Sequence, residues 1–98
     1  MSDHTFCMTL LIIELLIPHA QSLKDKRSGL RGLKDRIRSR FNASVAEVGY
    51  QDKWQRSVLA VSLVSSDKRQ LESNVARIRR LCAEATDLEI VSIAQEWL

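Results

Sequence analysis

From Phe6 to Ile17 the chain is apolar at nearly every position, and Pro18 ends the run. The run has no 3.6-residue repeat, and its length and Ile and Leu content predict a central β-strand. Alternation assigns Cys7, Thr9, Leu11, Ile13, Leu15 and Ile17 to one face, the expected core side. Met8, Leu10, Ile12, Glu14 and Leu16 fall on the other. The period then changes. Leu23, Leu30, Leu33, Ile37 and Phe41 recur at helical spacing, which predicts a helix over residues 23–40. Ser22-Leu23-Lys24-Asp25 is an approximate capping box, with Asp where Glu or Gln is usual, and Asn42 is the expected stop. Ser44–Gly49 and Ser57–Val64 read as two strands joined by a polar and aromatic hairpin connection, Tyr50 to Arg56. Leu71, Val75, Ile78, Cys82 and Ala85 mark a second helix, capped by Ser66 or Asp67 and ended by Thr86-Asp87. Leu88–Trp97 alternates as a last strand.

The resulting order, β-α-β-β-α-β, is solved by an α+β, ferredoxin-like architecture. Four antiparallel strands form a sheet with two helices on one face, leaving the other face uncovered. Right-handed crossovers bring the end of the first strand, the start of the first helix and the 50–56 hairpin to one end of the sheet. A chain of 98 residues makes one such domain, 1–98, with 1–5 expected as a flexible N-terminal extension.

Composition changes this picture little. Apolar residues at 45% and charged residues at 28% are ordinary for a globular chain. Cys7 and Cys82 lie in apolar surroundings and are expected as buried free thiols, and no cofactor or metal set is spaced for ligation. The Phe6–Ile17 run is too short to span a bilayer as a helix. Its flank has Asp3 and no Lys or Arg, unlike a secretory signal, so no membrane partner and a cytoplasmic location are expected.

Charge changes it more. Between Lys24 and Arg40 the chain has eight basic and two acidic residues, a net +6. The remainder has seven basic and ten acidic, a net −3, so the overall +3 hides one strongly basic element. At about 100° per residue, Lys24, Arg27, Arg31, Lys34 and Arg38 fall within an arc of roughly 80° beside the apolar stripe. Over about 20 Å of helix they are placed to track a phosphate backbone. The competing reading is a solvated face whose long stems cover the core edge.

Several motifs resemble one family. Ile17-Pro18 followed by Gln21-Ser22-Leu23-Lys24-Asp25-Lys26-Arg27 is similar to the "IP…SLK(E/D)KR" signature of the YlxP-like family of small bacterial proteins. Leu33–Arg38, Arg40–Val48 and Gln51–Arg56 continue the match, which covers roughly residues 9–95. The resemblance implies a ferredoxin-like fold and, through genes that neighbour those of translation initiation and ribosome-maturation factors, an RNA- or ribosome-linked role. It implies no catalytic residues. The chain departs from the pattern in a longer N-terminus, and in Ile12 and Leu16 where family members often have polar residues.

Four further features have candidate chemistry. Lys26 projects at the centre of the apolar arc, where it either snorkels over the sheet's end or joins Ser22, His19 and the hairpin at an anion pocket by the helix start. In the hairpin, Tyr50 and Trp54 are placed to stack on bases, Arg56 to hold a phosphate, and Gln51 and Gln55 to add polar contacts; the alternative packs Trp54 on the sheet or a partner subunit. The uncovered sheet face, Leu10, Ile12, Leu16, Val58 and Ala60 with Glu14 among them, reads as a contact surface for a homodimer or higher oligomer, Glu14 being paired or at a rim. Paired aromatics of an RNA-recognition sheet are absent from it. An enzyme is not expected: the loop Pro18–Ser22 lacks the Arg by which acylphosphatases of this fold hold phosphate, and Ser22 serves better as a helix cap than as a partner of His19 and Asp52.

Overall fold

The computed structural model describes residues 4–98; Met1–Asp3, the first part of the expected extension, lie outside the described residues. Strand β1 (Cys7–Leu16) alternates as the sequence requires, with Thr9, Leu11, Ile13 and Leu15 fully buried and Met8, Leu10, Ile12, Glu14 and Leu16 partly covered. It pairs antiparallel with β3 (Arg56–Ser65) and with β4 (Glu89–Trp97), and β3 pairs with β2 (Ser44–Gly49). The strand order β2-β3-β1-β4, with helices α1 (Leu23–Phe41) and α2 (Lys68–Ala83), is the ferredoxin-like α+β fold.

Each helix starts where a side chain can take a free backbone donor. Ser22 Oγ accepts from Asp25 N at 3.0 Å, and Asp25 Oδ2 accepts in return from Gln21 N at 3.0 Å. The short Asp therefore closes the capping box one residue early. Asp67, rather than Ser66, caps α2, accepting from Arg69 N at 3.0 Å. Helix α1 ends at Asn42, whose backbone is left-handed (φ 47°, ψ 50°), a conformation Asn tolerates. Helix α2 ends two residues short of Ala85, and Leu81 is buried instead.

The core lies between the helices and the inward face of the sheet. Leu30, Leu33, Ile37 and Phe41 of α1 and Leu71, Val75, Ile78 and Cys82 of α2 meet Leu11, Ile13, Leu15, Leu59 and Val61. Two expectations fail. Leu23 is exposed, and the inward place in the first turn belongs to Lys26. Cys7, the first residue of β1, is only half-buried at the margin of the core, although both cysteines are free.

Both edge strands are irregular at one level of the sheet. The pairing of β1 with β4 shifts just after Glu14, and that of β2 with β3 shifts between Glu47 and Gly49, opposite Val58, the partner of Glu14. Bulges of this kind twist an edge and interrupt its capacity to pair further. Here the shift at β2 delivers the chain into the hairpin.

Candidate functional site

The basic helix borders a groove. Arg27, Arg31, Lys34 and Arg38, at i, i+4, i+7 and i+11, line a cavity of about 280 Å³ with Leu30, Asp35 and Glu47. The groove runs between α1 and the edge strand β2. Arg38 Nη2 donates to Val45 O at 2.9 Å across it, and Arg38 Nη1 lies 3.8 Å from Asp35 Oδ1. Among the described residues Arg27, Arg31 and Lys34 form no ion pair. Lys24 is exposed but does not line the groove.

Lys26, expected with this set, is turned away from it. It is 1% exposed, and its Nζ donates to Tyr50 O at 2.6 Å and to Lys53 O at 2.7 Å, with Glu47 Oε2 at 2.8 Å. An ammonium has three donors, so each one is engaged by the protein. Lys26 therefore neither snorkels nor serves an anion at the helix start; its charge faces inward and is neutralised by Glu47. Glu47 also accepts from Ser57 Oγ at 2.6 Å. The signal was available in the sequence: alternation with Val45 puts Glu47 on the inward face of β2, opposite the inward Lys26 of α1.

The hairpin is tied to its neighbours by the Lys26 side chain, by its own two glutamines and by one backbone bond. Besides the two Lys26 bonds, Gln55 Nε2 donates to Pro18 O at 3.2 Å and Ala20 O at 3.0 Å, Ile17 N donates to Gln55 O at 3.0 Å, and Gln51 Nε2 donates to Glu47 O at 3.0 Å. Lys53 N closes a turn on Tyr50 O at 3.0 Å, with Tyr50 held at φ 56°. The first loop, the first turn of α1 and the hairpin thus meet at one end of the sheet, as expected.

Arg56 does not hold a free charge. Its Nη2 meets Glu14 Oε1 at 2.6 Å, and its guanidinium lies 4.3 Å over the Tyr50 ring. The Glu14 contact, above all its hydrogen bond, raises the Arg56 pKa further. Glu14 is thereby paired within its own chain. Trp54 is 53% exposed rather than packed on the sheet, and with Tyr50, Asp52, Lys53, Gln55 and Arg56 it lines a cavity of about 570 Å³. Lys53 is a lining residue that the sequence did not single out, because its place is fixed by backbone bonds, its N–H to Tyr50 O and its carbonyl to Lys26.

The uncovered sheet face carries Leu10, Ile12, Leu16, Val58 and Ala60, all partly covered, with Val48 and Val64 more exposed. Ser22 is engaged as a cap, and His19 and Asp52 are exposed. Among the described residues no helix is long and apolar enough to cross a membrane.

Comparison with known proteins places these residues in a family context. The model of a family described as a protein of unknown function, DUF503, matches residues 8–95. The uncharacterized protein YlxP of Bacillus subtilis (strain 168) is 36% identical over 84 residues, covering 86% of this chain and 91% of that relative.

Proposed function

The chain belongs to the DUF503 family, and within it we propose an RNA- or ribosome-associated protein that binds phosphates through the basic face of α1. The observation that supports this is the groove: Arg27, Arg31, Lys34 and Arg38 share one concave wall, and Asp35 is the only acid paired with any of them among the described residues. Glu47, the other acid of the lining, is engaged with Lys26. Phosphate oxygens supply the missing negative charge, and a backbone with regular phosphate spacing suits cations repeated along a helix.

The test is binding of a labelled single-stranded RNA, followed by anisotropy, to the parent and to Arg27→Glu/Arg31→Glu/Lys34→Glu. These side chains are largely outside the core, so the variant should fold with unchanged circular dichroism. Loss of binding in the variant supports the reading, and equal binding by parent and variant refutes it. Reconstitution with ribosomal particles at low salt asks the same question of the larger partner.

A second reading rests on the uncovered sheet face. Leu10, Ile12, Leu16, Val58 and Ala60 make an apolar surface of the kind that associates, with the Glu14–Arg56 pair among them, and a homodimer is the simplest assembly. Sedimentation of the parent and of Ile12→Asp tests it. A parent that is monomeric at all concentrations removes this reading.

A further inference from the structure

We propose that the Tyr50–Arg56 hairpin is a site for one unpaired nucleobase, stacked on the indole of Trp54. The inference rests on the phosphate reading of the α1 groove and names what lies beside it. The hairpin cavity, about 570 Å³, differs from the groove in chemistry. Its one arginine is spent: Glu14 neutralises Arg56 at 2.6 Å, and the Tyr50 ring covers one face of the guanidinium at 4.3 Å. The Arg56 charge therefore offers little to a phosphate. What remains open is the flat indole of Trp54, 53% exposed and in no aromatic or cation–π pair among the described residues.

Rigidity is the second observation. Hairpin tips are ordinarily the mobile parts of a sheet. This one is held by Lys26 on the carbonyls of Tyr50 and Lys53, and by Gln55 on the carbonyls of Pro18 and Ala20. A buried ammonium is a costly way to hold a turn. It fixes the backbone on both sides of Asp52, so an incoming ring finds its platform already ordered.

The ligand that fits is planar, with acceptors and donors on its edge. Stacking on an aromatic face is tolerant of base identity. Asp52 offers an acceptor and Lys53 a donor on the same cavity, suited to the edge of an unpaired base. Its position relative to the groove selects a nucleic acid. Glu47 on the groove wall and Tyr50 at the hairpin cavity are three residues apart, so no more than about 10 Å of chain separates them. A strand whose phosphates occupy the groove has its next nucleotide within reach of Trp54.

The experiment uses Trp97→Phe as the parent, so that Trp54 is the only tryptophan, and follows both its emission and the anisotropy of a labelled RNA. Single-stranded RNA should quench Trp54, and a duplex of the same sequence should not. Trp54→Ala should weaken single-strand affinity by about 5- to 160-fold, the loss expected for one stacked base, with the salt dependence unchanged. Trp54→Phe should fall between. If Trp54→Ala binds as tightly as its parent, the hairpin inference is overturned while the groove reading stands. If no RNA binds, the groove reading fails, and adenosine alone decides the hairpin: saturable quenching sustains a base site, and its absence overturns it. Emission that changes only with protein concentration assigns the indole to a contact between copies and also overturns the proposal.

Discussion

Lys26 is the residue on which the site's geometry depends. Its ammonium joins α1 to the hairpin through two carbonyls and to β2 through Glu47. Removing one member of a buried ion pair leaves the other uncompensated, which is far costlier than removing both. Lys26→Met should therefore lose about 3–5 kcal/mol in urea unfolding, and Lys26→Met/Glu47→Gln less than the sum of the single losses, a coupling of about 0.5–3 kcal/mol. Hydrogen exchange should show the amides of residues 50–56 opening first in Lys26→Met, because their carbonyl ties are gone. Cys82 supplies a second prediction at this scale. Burial raises its thiol pKa, against the opposing charges of Arg79 and Arg36. For an acid with a raised folded pKa, the folded state holds its proton longer than the unfolded chain does. Stability from this group is thus fully present below the ordinary thiol pKa, about 8.5, and falls as the pH rises above it. Cys82→Ala should lower stability at neutral pH and flatten the alkaline decline, measured by melting at a series of pH values.

At the scale of elements, the join between β2 and the hairpin is set by Gly49. A Cβ there would meet Val58 Cγ2 at 2.9 Å, closer than side chains tolerate, just where the β2–β3 register shifts. Gly49→Ala should cost about 1–3 kcal/mol through overpacking, and Gly49→Ala/Val58→Ala should recover part of it; thermal melts of the two variants check this. These joins also show what the sequence could and could not reveal. The alternation of Cys7–Leu16 and the repeat Leu30, Leu33, Ile37, Phe41 were legible, since burial of one face dictates each residue. Lys26 was legible as an oddity on the apolar arc but not as a clamp, because two of its partners are backbone carbonyls, which no side-chain pattern encodes. The pairing of Arg56 with Glu14 was not legible, because the two lie 42 residues apart and meet only through sheet register.

For the whole molecule, the separation of charge makes the leading reading quantitative. The segment Lys24–Arg40 carries +6 and the rest of the chain −3, so attraction to a polyanion is concentrated on one side. Lys26 is withdrawn into the interior, and Arg38 is shared with Val45 and Asp35, which leaves three or four groove cations to neutralise phosphates. Each phosphate on a single strand contributes about −0.7 to the slope of log affinity against log salt, so the slope should lie near −2 to −3. A fourfold rise in salt should then weaken RNA binding by roughly 20- to 50-fold. Arg31→Glu/Lys34→Glu should flatten the slope as well as lower the affinity, whereas Ile12→Asp should leave both unchanged. Association through the uncovered sheet face has the opposite signature, because apolar contact is indifferent to salt or strengthened by it. RNA affinity that survives high salt with a slope near zero would move the anchor from the α1 groove to that face.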